Sequence, residues 1–353
     1  MESPVVKKPS LGGSISTRRR DAETGPELIR TSTFGTPLPL VVQPGIADLD
    51  PVAWASGNLA WIEEKLLSHG GILFRSFNLD SLSTLERFAT AITPHRINYI
   101  EGSSPRVLLG EKTYTSTEYP PEYFVSLHSE LSYAHQWPGK IFFYCVTAPQ
   151  QGGETPISDN RKVLKSLPPA TRERFARKRV KYLRNLRGGR GGAGLSWQTV
   201  FESSDRSFVE AYCQDGGIEF RWKEDDALWT SQVRPAVIRH PRTGEELWFN
   251  QADQWHPTNL GQEIADALLA TTRESDLPIY ACHGDDSPLD PADLDEVRAA
   301  FRREMVTFPW QRGDALVLDN MLVSHGRSPF SGPRKVAVTM GAPVRLDEVE
   351  EVR

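Results

Sequence analysis

His128-Ser129-Glu130 sets an imidazole and a carboxylate two residues apart within Phe124 to Tyr133, a stretch whose pattern predicts a strand. Side chains two apart on a strand share a face, so His128 and Glu130 are expected to converge while Leu127, Ser129 and Leu131 face the other way. One more imidazole would complete a facial triad, the donor set that holds iron(II) on one side and leaves positions open for a bidentate 2-oxo acid and dioxygen. That imidazole must come from a neighbouring strand. His325 is the candidate, because it ends a predicted strand, Met321 to His325, and Gly326 follows it. Asp319 or Asn320 is the expected support that orients its ring. A lone HxE pair is equally compatible with structural residues, and His69, His95, His135, His240, His256 and His283 are read as core or surface positions.

The elements that must position these residues begin near Pro37. An apolar stretch spans Pro39 to Val42, an amphipathic helix Trp54 to Leu67, a strand Gly71 to Phe77 and a helix Leu82 to Ile92. The strand carrying His128 leads into another, Lys140 to Ala148, across a Trp137-Pro138-Gly139 turn, which predicts an antiparallel pair. Asn160 to Arg179 reads as a helix interrupted at Pro168-Pro169. Leu183 to Trp197, with the cluster Arg187-Gly188-Gly189-Arg190-Gly191-Gly192, reads as a flexible loop or active-site lid; it lacks the Lys-Ser/Thr of a phosphate loop. Pro235 to His240 and Glu246 to Ala252 form a predicted hairpin, followed by helices Gln262 to Arg273 and Pro291 to Met305. Strands Ala315 to Asp319, Met321 to His325 and Lys335 to Met340 close the chain. Strands at both ends with helices between them lack regular βαβ alternation, so the expected fold is mainly β with flanking helices, a barrel or sandwich-like core.

Composition narrows the function. The 353 residues are 39% hydrophobic and 25% charged, ample for one large domain, here placed at 35–353. Residues 1–34, with Lys7, Lys8 and Arg18 to Arg20 among Ser, Gly and Pro, are expected to be a disordered basic tail. A formal net charge of -5 opposes a nucleic-acid partner and favours a small molecule. Cys145, Cys213 and Cys282 form no CxxC, so reduced thiols in a cytoplasm are expected; neither an export signal nor a membrane span is evident.

The ordered set His128-Ser129-Glu130, Trp137-Pro138, Gly152-Gly153-Glu154-Thr155-Pro156, Asp159, Arg161, Trp248-Phe249-Asn250-Gln251, Gly313-Asp314, Asp319-Asn320, His325-Gly326-Arg327 and Gly332-Pro333-Arg334 resembles the taurine dioxygenase-like (TauD/TfdA) oxygenases. The likeness covers about Pro37 to Val344 and is strongest to the branch typified by SyrP, which acts in nonribosomal-peptide biosynthesis. It implies a double-stranded β-helix (jelly-roll, cupin-like) core, Fe(II), and 2-oxoglutarate and O2 as co-substrates, with hydroxylation as the usual outcome. It also implies His128, Glu130 and His325 as metal ligands, Thr155 on 2-oxoglutarate, and Arg334 on its distal carboxylate, with Arg327 the alternative. A guanidinium suits that carboxylate because it can bind both oxygens in a fork. The carboxylate ligand is Glu130 where taurine dioxygenase has Asp, and an acidic ligand argues against a halogenase. Asn250, Gln251 and Arg327 are candidate substrate contacts. The implied substrate is an amino acid or related natural-product intermediate, free or presented by a peptidyl carrier protein. A silent β-barrel binding protein is the competing reading.

Overall fold

The run Ile141 to Val146 is apolar without alternation, as a strand covered on both faces requires. In the computed structural model, which describes residues 25–117, 119–189 and 194–353, it lies within the strand Gln136–Thr147 of a seven-stranded sheet. The sheet runs Ile29–Ser32, Leu40–Pro44, Gly71–Phe74, Ala315–Asp319, Gln136–Thr147, Lys335–Arg345 and Thr113–Thr115. Alternate residues divide between two cores. Phe142, Tyr144, Val317 and Ala337 pack under the helices Pro51–Gly57, Leu59–His69 and Leu82–Ile92 through Trp54, Ile62, Leu66, Leu85 and Phe88. Ile141, Phe143, Cys145, Leu316, Leu318 and Val338 line the other face.

That second core also holds Leu127, Ile157 and Val323 from a four-stranded sheet, ordered Met305–Val306, Ile157–Asp159, Val323–Arg327, Val125–His128. Buried Arg75 and Asp314 brace the large sheet with a two-pronged ion pair at 3.0 and 2.7 Å, and Arg75 also donates to Pro309 O. A third sheet, Glu219–Trp222, Leu228–Arg234, Val180–Leu186, Ile279–His283, completes the main architecture. Helical and extended residues are close to balanced, so the fold is mixed α/β rather than mainly β.

Several expectations need correction. The strand through His128 ends there; residues 130–133 turn, with Leu131 at φ 57°, and carry the chain into the other sheet. The two strands therefore do not pair, and Trp137-Pro138-Gly139 lies inside the longer strand Gln136–Thr147. The helix expected over Trp54 to Leu67 is two helices, because Asn58 ends the first by donating Nδ2 to Trp54 O at 2.8 Å and N–H to Ala55 O. The expected loop at Leu183 is preceded and partly replaced by the strand Val180–Leu186, whose alternating burial is disguised by Leu183 and Arg184. Arg184 is buried and donates to Glu101 O and Gly102 O. Arg190, Gly191 and Gly192 lie outside the described residues, as do residues 1–24 with the basic run of the expected tail. The tail does not extend to Phe34: Ile29–Ser32 pairs antiparallel with Leu40–Pro44, and Phe34 stacks on Phe308 at 5.4 Å. The hairpin Val237–Arg239 with Glu246–Trp248 and the helices Gln262–Thr271 and Pro291–Glu304 lie where the sequence places them. All three cysteines are free and buried, and among the described residues no helix is long and apolar enough to cross a membrane.

Candidate metal centre

His128 and His325 meet across two strands. They are direct partners in the antiparallel pairing of Val125–His128 with Val323–Arg327, which puts them on one face, with ring centroids 4.6 Å apart. The register then slips, since Arg327 pairs with Val125, so one extra residue bulges from the Val125–His128 strand. Gly326 permits this close approach, because a Cβ there would stand 2.5 Å from Val125 O. Glu130 arrives from the turn beyond the strand rather than from the strand itself. The donor atoms of His128, Glu130 and His325 all lie within 4.8 Å of one another, and the three side chains are buried.

Neighbouring side chains fix each member. His128 Nδ1 lies 2.8 Å from Ser126 O, which holds the proton there and leaves Nε2 to donate; the Gln254 amide sits 3.1 Å from the same nitrogen. Asn320 clamps the Glu130 backbone by accepting from its N–H at 2.7 Å and donating to its carbonyl and to Pro138 O, both at 2.9 Å. Gln251 donates to Ser129 O at 2.7 Å, and Asn160 to Ser129 Oγ at 2.9 Å. The expected support of the His325 ring is thus a support of Glu130. Asp319 instead caps Met321 and Leu322 N–H and faces His240. His325 packs on Phe143 at 4.8 Å, and its buried Nδ1 has no hydrogen-bond partner among the described residues. Asn320→Ala leaves three buried backbone groups without that partner, so it is expected to destabilise the fold by about 3 kcal/mol and to weaken metal binding roughly tenfold or more. A denaturant midpoint and metal titration equal to the parent's would refute this clamp.

Electrostatics favour a cation. Burial, then the neighbouring His325, lowers His128 to about 4, so its ring is neutral and able to donate at physiological pH. Burial alone would raise the Glu130 carboxyl, but Arg106, then the His325 and His128 rings, hold it well below the usual carboxylate range. Arg106 Nη2 lies 2.6 Å from Glu130 Oε2 with both side chains buried. Nothing in the sequence pattern singled out this arginine, a lone cation in the loop after Ser103-Ser104-Pro105.

Thr155, Ser116, Arg106 and Arg334 line one cavity together with His128 and His325. Thr155 Oγ1 accepts from Trp310 Nε1 at 3.2 Å, which leaves its own proton to donate. Arg334 donates to Gly153 O at 2.8 Å and Ser116 Oγ at 3.2 Å, and among the described residues no carboxylate pairs with it. Burial, then Arg327, lowers Arg334 to about 10, leaving it cationic at neutral pH. Gly153, at φ +68°, makes room for this side chain, since a Cβ would meet Arg334 Cδ at 2.9 Å. Arg327 is otherwise committed: it donates to Tyr119 O, Pro120 O and Tyr123 O at 2.6, 2.6 and 3.0 Å. Asn250 donates to Ala236 O and accepts from Ala252 N–H; neither it nor Gln251 lines the cavities at the triad. A second cavity of about 400 Å³ adjoins His128 and opens past exposed Tyr119, Tyr123, Phe124, Leu260 and Ile264.

Two imidazoles and one carboxylate, buried and with donor atoms within 4.8 Å of one another, form the donor set of a mononuclear non-haem iron site. The chain belongs to the family described as taurine catabolism dioxygenase TauD, TfdA family, which matches residues 34–340. It is 40% identical over 283 residues to the dapdiamide synthesis protein DdaC of Enterobacter agglomerans, covering 80% of this chain and 85% of that one. A clavaminate synthase-like protein of Arabidopsis thaliana is 29% identical over 288 residues, covering 79% and 84%. The fold is similar to that of PvcB from Pseudomonas aeruginosa, with a TM-score of 0.53 and 16% identity, over 93% of this chain and 95% of that one. The protein is therefore an Fe(II)- and 2-oxoglutarate-dependent oxygenase with a His-Glu-His metal triad, acting on a small molecule.

Proposed function

We propose that the enzyme hydroxylates an unactivated C–H bond of an amino acid or related intermediate of peptide natural-product synthesis, free or carried by a peptidyl carrier protein. The observation that carries this reading is the buried triad whose two histidines share a cavity with Thr155 and with Arg334, a buried cation that has no carboxylate partner among the described residues. Arg334 and Thr155 would hold the distal carboxylate of 2-oxoglutarate, the first by charge and the second by its free proton. Bound iron(II) with 2-oxoglutarate supplies dioxygen activation and C–H oxidation, releasing succinate and carbon dioxide. The protein's own part is to hold the substrate in the adjoining cavity, whose walls at Ser104, Thr117, Ser126, Gln254 and Asn259 offer hydrogen bonds without a side-chain cation or carboxylate. The substrate class is supported by the likeness to a dapdiamide synthesis protein. The exposed apolar lip of that cavity suits a substrate delivered on a carrier. In such a chain the seven- and four-stranded sheets would be the two walls of a jelly-roll core.

The test is anaerobic addition of Fe(II) and 2-oxoglutarate, which is expected to give the weak visible charge-transfer band of the chelate. Admission of air with a panel of free and carrier-bound amino acids should then release succinate in step with a product heavier by one oxygen. No band and no succinate would leave the silent binding protein as the better reading.

A further inference from the structure

Most buried arginines here are tied to the fold by several acceptors. Arg75 has Asp314 and Pro309 O, and Arg327 has three carbonyls. Arg106 differs. Its one hydrogen-bond acceptor among the described residues is Glu130 Oε2, at 2.6 Å, while its buried Nε and Nη1 have none. The guanidinium lies flat against a second support, the Tyr99 ring, 4.0 Å from its centroid. Its side chain is 3% exposed and that of Glu130 2%, so solvent does not screen the pair.

We propose that Arg106 is a positioning residue that restricts Glu130 to one-oxygen coordination of iron. The proposal rests on the metal assignment above. A six-coordinate ion held by two imidazoles and one carboxylate oxygen keeps three positions, enough for a bidentate 2-oxo acid and dioxygen. A carboxylate that binds through both oxygens leaves two, which the 2-oxo acid alone would fill. Glutamate has one more methylene than aspartate and swings more freely, so a glutamate ligand needs a restraint that an aspartate does not. Arg106 supplies it: its short charge-assisted hydrogen bond holds Oε2, the oxygen that stands 3.6 Å from His325 Nε2, and so fixes the turn of the carboxylate with one oxygen toward the histidines. Asn320 fixes the backbone of the same residue, so Glu130 is held at both ends.

The experiment compares the full-length protein with Arg106→Gln and Arg106→Lys, each checked by circular dichroism and titrated anaerobically with Fe(II) alone and then with 2-oxoglutarate. Arg106→Gln is expected to bind one iron, yet to lose affinity for 2-oxoglutarate roughly tenfold or more with a weakened charge-transfer band. Arg106→Lys, which can still donate to Oε2, is expected to recover most of both. A wild-type band and affinity in Arg106→Gln would overturn the proposal and leave the oxygenase reading intact, whereas no band in the parent protein would overturn both. Should Arg106→Gln not fold, a crystal structure of the Mn(II)-loaded parent decides: one Glu130 oxygen on the metal with Arg106 still bound to the carboxylate supports the proposal, and both oxygens on the metal overturns it.

Discussion

Arg334→Met is expected to raise the dissociation constant of 2-oxoglutarate about 100-fold while leaving Fe(II) affinity near that of the parent. The separation follows from position. Arg334 shares a cavity with the two histidines and donates to Gly153 O and Ser116 Oγ, and among the described residues it makes no hydrogen bond to a metal ligand. Removing one member of a buried, hydrogen-bonded charge pair costs about 2–5 kcal/mol, mostly because the other charge is left unpaired; a 100-fold loss corresponds to about 2.7 kcal/mol. The control is Arg327→Met. Its guanidinium holds the carbonyls of Tyr119, Pro120 and Tyr123, the loop that forms the lip of the substrate cavity. That variant is expected to keep 2-oxoglutarate affinity within about threefold and to raise KM for the primary substrate. Isothermal titration of the anaerobic Fe(II) proteins distinguishes the two, and the opposite ranking would transfer the clamp to Arg327.

The two arginines also show what a sequence can and cannot express. Residue types and order were enough to nominate His128, Glu130 and His325, and amphipathic periods placed Leu82–Ile92 and Pro291–Glu304. Strand alternation alone does not bring the triad together. Leu131, Ser132 and Tyr133 continue a pattern that suits a strand, so nothing local signals that the chain turns after His128 with Leu131 at positive φ. The convergence instead depends on cross-strand register and on Asn320, which is distant in sequence. Asn250 and Gln251 looked available because polar side chains in a hairpin carry no mark of commitment. In the folded chain Asn250 serves Ala236 O and Ala252 N–H, and Gln251 steadies the backbone between two metal ligands. Arg106 was invisible for a related reason: a single cation in an irregular loop has no period and no fixed offset from the residue it serves. The strand Val180–Leu186 is concealed by Leu183 on its more exposed face and by Arg184 on its buried one, because a buried arginine satisfied by carbonyls reads as surface in any hydropathy pattern.

His325→Ala is expected to abolish metal-dependent stabilisation altogether. A ligand that binds only the folded state stabilises it by about 2.7 kcal/mol at 100 times its dissociation constant, and for a chain of this length that is a rise in Tm of roughly 4 °C. Mn(II) accepts the same nitrogen and oxygen donors and permits the melt to be run in air. The parent should show the rise. In His325→Ala the remaining donors are one imidazole and one carboxylate, and the carboxylate already has Arg106 as a competing cation at 2.6 Å. Among the described residues no other group of three His, Cys, Asp or Glu side chains is poised to hold an ion, so no substitute ligand set stands ready. The substitution also removes a buried ring packed on Phe143, which is expected to destabilise the metal-free protein by about 2 kcal/mol. The two effects are read separately, the second as a lower Tm without metal and the first as the missing increment when metal is added. A His325→Ala protein that melts lower yet keeps the full Mn(II) increment would show that the residue packs the site without ligating, and the third ligand would then have to be sought elsewhere.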